Sequence, residues 1–161
     1  MTKEKTTIRK THIRNDIFIP HIEQILKEGK HKSVTFVVRG YSMRPFLEHD
    51  RDKVELVSPL PPCIGQVVLA EIAPKRYALH RIIKIEGNKI TMQGDGNALS
   101  LTETFTTDKI IGTAIAFIRK GERITTDSPK WRRYSAAWKF LRPIRRVLLG
   151  LHRRIIKIIK I

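Results

Sequence analysis

The chain has 161 residues, of which 41% are apolar and 29% are charged, which is typical of one folded domain and excludes a disordered chain. Its formal net charge of +17 favours anionic partners, and it is concentrated in residues 130–161, which hold eleven Lys or Arg and no Asp or Glu. The single cysteine, Cys63, excludes an intrachain disulfide and weakly favours a reducing compartment.

Residues 1–32 are predicted to form a polar arm followed by one short helix. The arm lacks the apolar core of a signal peptide, and no part of the chain approaches the roughly 18 uncharged apolar residues of a spanning helix. In "NDIFIPHIEQILKEGK", Asp16 suits a cap, Pro20 a first-turn position and Gly29 the stop. The apolar residues at helical spacing are Ile22, Ile25 and Leu26.

Residues 33–127 are predicted to form a compact, mainly β domain. Short β-branched runs alternate there with Gly, Pro and Asn, the pattern of closely spaced strands and turns. One predicted hairpin, "YALHRIIKIEGNKITMQGD", turns at Gly87–Asn88. The other predicted strands are "SVTFVV", "DKVELV", "QVVLAEI" and "KIIGTAIAFIRKG".

Residues 128–161 are predicted to form a basic, amphipathic helical tail. Ser128 suits a cap, Pro129 the first helical position, and Pro143 interrupts the helix. One helical face is apolar and consists of Ile144, Val147, Leu148, Leu151, Ile155, Ile158 and Ile159. The other side is basic and contains Arg146, Arg153, Lys157 and Lys160. This pattern predicts binding to an anionic membrane surface. Packing on the domain or a partner is the alternative, and no readout motif supports nucleic-acid binding.

A serine in "RGYSMRPFLEHDRDKV" is the candidate nucleophile. Ser42 follows a glycine at the end of a predicted strand, and a serine hydroxyl needs a neighbouring base to become reactive. His80 is the best candidate for that base because it lies within a predicted strand, which would hold the ring in place. The remaining histidines are His12, His21, His31, His49 and His152.

A third group is expected to orient the imidazole and to stabilise its protonated form. Asp95 in the tight turn "QGDGN" is the first candidate, and Asp108 is the second. This chemistry requires no cofactor or metal ion, and none is expected.

Five motifs in order resemble signal peptidases and the related SOS-repressor autoproteases, a superfamily of serine peptidases. They span residues 33–119, and in chain order they are "GYSMRPFLEHDRDKVEL", "GQVVLAEI", "LHRIIKI", "QGDGN" and "DKIIGTAIAF". Histidine followed by arginine at the base position is similar to the endoplasmic-reticulum and archaeal branch. The resemblance implies a Ser42/His80 pair with Asp95, and a mostly β fold with a cleft for an extended substrate. The N-terminal membrane anchor of signal peptidases is not seen in this sequence.

The predicted function is therefore a serine endopeptidase that cleaves an extended, leader- or signal-like peptide at a membrane surface. We expect a cytoplasmic chain, peripheral to the inner face of the membrane. One alternative is a non-catalytic peptide-binding module with the same fold. A second is a repressor-related regulator, although the first 32 residues are too short for a helix-turn-helix domain.

Overall fold

A computed structural model describes residues 14–29, 33–141, 144, 147–151 and 154–155. These residues contain eight strands, two α-helices, a 3-10 helix (Thr107–Lys109) and further helical residues after position 146. The helices are α1 (Asn15–Lys27) and α2 (Pro129–Phe140). The strands are β1 (Val34–Val37), β2 (Lys53–Val57), β3 (Val67–Ala73), β4 (Arg76–Glu86), β5 (Lys89–Gln93), β6 (Glu103–Thr106), β7 (Ile110–Arg119) and β8 (Glu122–Thr125).

All eight strands belong to one antiparallel sheet. Its order is β1-β2-β7-β3-β4-β5-β6, and β8 pairs with β7 at the side of this path. The predicted mainly β fold with an N-terminal and a C-terminal helix is confirmed. Strands β6 and β8 were not predicted, because each is only four residues long and mostly polar.

The hairpin of β4 and β5 brings the predicted site residues together. Glu86 pairs with Lys89 around the predicted turn, where Gly87 has φ +59°. A positive φ is typical of the tight turns that match the twist of paired strands. The same register places Arg81 opposite Gln93, so the "GDG" turn at 94–96 begins beside the strand that carries His80.

Both helices pack on the main apolar cluster of the sheet. Ile19, Ile22 and Leu26 of α1 are buried in it, as is Trp131 of α2. Pro20 lies inside α1 and not in its first turn, and Asp16 does not cap it: the cap residue, Arg14, makes no side-chain cap hydrogen bond. The helix begins one residue before Asp16, and burial of its apolar face stabilises it in place of a cap.

Helix α2 begins as predicted. The Ser128 Oγ accepts a hydrogen bond from the Trp131 N–H at 3.2 Å, and Pro129 is the first helical residue. The helix ends at Phe140, and residues 147–151 and 154–155 are again helical. Pro143, Ile158, Ile159 and the predicted basic face (Arg146, Arg153, Lys157 and Lys160) lie outside the described residues. Within the described ranges, no helix has the length and apolar character needed to cross a membrane.

Candidate active site

The loop between β1 and β2 carries Ser42. Buried apolar side chains anchor this loop: Met43, Phe46 and Leu47 are all at most 2% exposed. Gly40, with φ +95°, turns the chain just before the serine, a backbone conformation that favours glycine. Ser42 itself is partly exposed. The loop therefore holds a partly exposed serine on a firmly packed base.

Asp52 holds the end of this loop. Its fully buried carboxylate accepts hydrogen bonds from the Glu48 N–H at 2.9 Å and from the Arg51 guanidinium, with both Arg51 bonds at 2.8 Å. Its own backbone carbonyl accepts from the Val38 N–H at 2.8 Å, which ties the two ends of the loop together. Burial raises the pKa of Asp52, but the Arg51 and Glu48 hydrogen bonds outweigh burial and leave the pKa below its usual value.

His80 comes from the interior strand β4 and is only 5% exposed. Its Nδ1 lies 2.8 Å from Oε2 of Glu103, the first residue of β6. An ionised carboxylate only accepts hydrogen bonds, so this contact favours the tautomer with the proton on Nδ1. In that tautomer Nε2 carries a lone pair and can accept a proton.

Ser42 and His80 meet at Gly94. A β-carbon at position 94 would lie 2.5 Å from the Ser42 carbonyl oxygen and 2.9 Å from His80 Nε2. The Ser42 carbonyl oxygen and His80 Nε2 are therefore no farther apart than these two distances added together. Among the described residues, no hydrogen bond joins the Ser42 hydroxyl to the ring. The ring nitrogen beside Gly94 is Nε2, whereas Glu103 binds Nδ1.

The turn at 94–96 also fixes the backbone of Ser42. The Gly96 N–H donates to the Ser42 carbonyl at 2.6 Å, and a β-carbon on Gly96 would lie 2.6 Å from the Tyr41 carbonyl oxygen. Gly94 and Gly96 are thus both required, because the backbone of the serine loop lies too close for a β-carbon at either position.

The prediction that Asp95 or Asp108 orients the His80 ring is wrong in this geometry, because Glu103 occupies that position. Both carboxylate oxygens of Asp95 instead accept hydrogen bonds from Arg81, at 2.9 and 2.7 Å. Asp108 is exposed, and its Oδ2 lies 4.0 Å from the Lys109 Nζ.

Glu103 was missed because β6 was not recognised as a strand. The alternating threonines of "LTETFTT" were the available signal, since they mark a β-compatible segment directly after the turn. Pairing of β5 with β6 places Glu103 opposite Met92, next to the hairpin that carries His80. Glu103 therefore contacts the His80 ring, although it lies eight residues beyond Asp95 in the sequence.

The two other histidines among the described residues, His49 and His21, make different contacts. His49 lies in the Ser42 loop, but its Nδ1 accepts a hydrogen bond from the Gly40 N–H at 2.9 Å, which is a structural contact within the loop. His21 is exposed on α1. His12, His31 and His152 lie outside the described residues. The described residues contain no group of three or more His, Cys, Asp or Glu able to hold a metal ion.

Comparison of the chain with protein-family models gives no match, and comparison with curated proteins gives none. The resemblance to signal peptidases therefore rests on the five sequence motifs.

Proposed function

We propose that the protein is a serine endopeptidase in which Ser42 is the nucleophile and His80 the general base. The observation that carries this proposal is the arrangement around His80: Glu103 binds Nδ1, while Nε2 faces the Gly94 corner that borders Ser42. A nucleophile, a base and a carboxylate that orients the base form the recurrent constellation for acyl transfer. Resemblance to signal peptidases in five motifs adds support.

In the proposed reaction, His80 Nε2 takes the proton from Ser42 as the oxygen attacks the peptide carbonyl. Glu103 stabilises the imidazolium that forms, and the Ser42 N–H donates to the oxyanion. His80 then gives its proton to the leaving amine, which breaks the peptide bond and leaves an acyl-serine. Water, activated by the same ring, hydrolyses this ester. The missing direct Ser42–His80 hydrogen bond is compatible with this, because such contacts often tighten only when substrate binds.

The proposed substrate is an extended peptide segment with small residues before the cleaved bond. Three exposed apolar side chains lie in the segments that build the site: Tyr41 beside Ser42, and Leu99 and Leu101 between Asp95 and Glu103. The Gln93 side chain binds the carbonyls of Leu99 and Leu101, which fixes that segment. Such surfaces suit an extended chain bound by backbone hydrogen bonds and shallow pockets.

We further propose that the reaction takes place at an anionic membrane surface. From the last residue of α2 onward, five apolar side chains are 45–85% exposed, namely Phe140, Ile144, Val147, Leu151 and Ile155. They recur at intervals of three or four residues, and the segment around them holds only basic charges. A helix with an apolar face and basic residues suits the interface of an anionic bilayer.

The test of the peptidase proposal uses the purified full chain and synthetic peptides with Ala-x-Ala sites, with products located by mass spectrometry. Ser42→Ala and His80→Ala should each abolish cleavage. His21→Ala is the matched control, since His21 is exposed on α1 outside the site, and it should cleave at the wild-type rate. Cleavage that persists in both Ser42→Ala and His80→Ala, or no cleavage by the wild type, would falsify the proposal.

A further inference from the structure

Helix α2 contacts the buried ion pair of Arg81 and Asp95 through three side chains. The Tyr134 hydroxyl donates a hydrogen bond to Asp95 Oδ2 at 3.1 Å. Arg81 Nη1 donates to Ser135 Oγ, and its guanidinium lies 4.8 Å from the ring centre of Trp131. The helix is thus bound to the ion pair by hydrogen bonds and by an aromatic face.

Asp95 is the centre of the turn that borders both halves of the site. Gly94 before it approaches His80 Nε2 and the Ser42 carbonyl, and the Gly96 N–H after it donates to the Ser42 carbonyl. The hydrogen bonds of the Asp95 carboxylate therefore act on the turn whose backbone lies against both site residues.

We propose that Tyr134 is a positioning residue: its hydroxyl fixes the Asp95 carboxylate, and docking of α2 thereby holds the 94–96 turn against Ser42 and His80. Helix α2 then helps to set the geometry of the site. The expected effect on catalysis rests on the proposed peptidase function, whereas the effect on the turn does not.

The burial of Asp95 explains why the Tyr134 hydroxyl affects the position of the turn. Asp95 is 1% exposed, so its carboxylate must be satisfied by protein donors. Arg81 supplies two donors, and Tyr134 supplies a third, from a different element. Burial, and then the charge of Asp95, raise the pKa of Tyr134 above its usual value, so the hydroxyl stays protonated as a donor.

The experiment compares Tyr134→Phe with the wild type in the full chain. Phenylalanine keeps the ring that packs at a tilt against Trp131 and Phe46, and removes only the hydroxyl. With an Ala-x-Ala peptide, we expect kcat to fall about tenfold with KM unchanged, which corresponds to about 1.4 kcal/mol in the barrier. Independently of cleavage, hydrogen exchange of the Gly96 amide should be about tenfold faster, because the turn opens locally. Tyr77→Phe is the matched control, since Tyr77 packs against the same apolar cluster, and it should change neither quantity.

Unchanged Gly96 exchange in Tyr134→Phe overturns the proposal, whatever happens to cleavage. Faster exchange of every amide to the same degree also overturns it, because that result means general destabilisation. If the wild type cleaves nothing while Gly96 exchange alone accelerates in Tyr134→Phe, the peptidase function fails and the positioning role of Tyr134 stands.

Discussion

Glu103 acts on the His80 ring through one hydrogen bond at Nδ1, and the charge on its carboxylate decides what that bond can do. A neutral amide could accept the same N–H, but it could not stabilise the positive charge that the ring acquires in the proposed reaction. The side chain of Glu103 is about one-fifth exposed, so solvent screens this interaction only in part.

Glu103→Gln is expected to lower kcat about 10²- to 10⁴-fold in the peptide-cleavage assay, the range attributed to general acid–base catalysis and its supporting carboxylate. Glu86→Gln is the matched control, because Glu86 is an exposed glutamate at the far end of the strand that carries His80. A Glu103→Gln protein with wild-type kcat and an intact fold by circular dichroism would remove Glu103 from the mechanism.

Gly94 illustrates how closely the site is packed at the scale of one methyl group. A β-carbon there would press on a backbone oxygen of Ser42 at 2.5 Å, so Gly94→Ala must displace either the serine loop or the His80 ring. We expect a loss of about 1–3 kcal/mol in the free energy of unfolding from overpacking. Cleavage should fall about 10²-fold, since a 1 Å misplacement of reacting groups has that effect.

Thermal melting and peptide cleavage check the Gly94 prediction against Gly150→Ala. Gly150 is helical and has no atom within 4 Å of a β-carbon, so alanine there should be neutral or stabilise the helix by about 1 kcal/mol. Equal stability and equal cleavage in Gly94→Ala and Gly150→Ala would contradict the close approach of the Ser42 carbonyl to Gly94.

At the scale of the element, the Ser42 loop depends on the charge of Asp52. Because the pKa of Asp52 is lowered in the folded state, the ionised form stabilises the fold. That stabilisation is fully present above the unfolded-state pKa, near the ordinary aspartate value of 3.8, and is lost as the pH falls through the lower folded-state value.

Asp52→Asn should therefore lower the free energy of unfolding by about 1–3 kcal/mol at pH 7, the cost of leaving buried partners of a charged group unsatisfied. The difference from the wild type should shrink below pH 3.8 as Asp52 itself becomes protonated. Urea unfolding at pH 7 and at pH 3 measures both values, with Asp50→Asn, an exposed neighbour, as control. A gap between wild type and Asp52→Asn that is constant over this pH range would count against the assignment.

The elements that the sequence predicts well are those with strong local signals. The hairpin at Gly87–Asn88 and the Ser128–Pro129 start of α2 are examples, because turn and cap chemistry act between residues close in the chain. Strands β6 and β8 lack such signals, and they form because longer partners in the sheet are available for pairing. Pro20 inside α1 is likewise tolerated because tertiary packing outweighs local propensity.

At the scale of the whole molecule, the site assembles from four separate stretches of the chain. Ser42 and His80 were predicted to lie within hydrogen-bonding reach; the fold brings the Ser42 carbonyl and His80 Nε2 close to Gly94, with no hydrogen bond between the Ser42 hydroxyl and the ring among the described residues. The partner of His80 could not be chosen from the sequence, because Glu103 reaches the ring only through the pairing of β6 with β5. The contact of Tyr134 with Asp95 depends on how α2 docks, which no local pattern encodes.

The proposed binding to an anionic membrane surface predicts the effect of substitutions in the C-terminal segment. In the full chain, Val147→Asn combined with Leu151→Asn removes two exposed apolar side chains and leaves every basic residue in place. Full burial of each is worth about 1.5–3 kcal/mol, so binding to vesicles with anionic lipid should weaken at least about tenfold.

Vesicle flotation measures this binding, and Ile17→Asn is the matched control, since Ile17 is 62% exposed on α1 outside the tail. The wild type should bind anionic vesicles in preference to neutral ones, because each basic residue near such a surface contributes about 1 kcal/mol. Added salt should weaken that preference by screening the exposed charges. Binding that ignores lipid charge, or that Ile17→Asn weakens as much as the tail substitutions do, would show that the tail's apolar residues serve another contact, such as a protein partner.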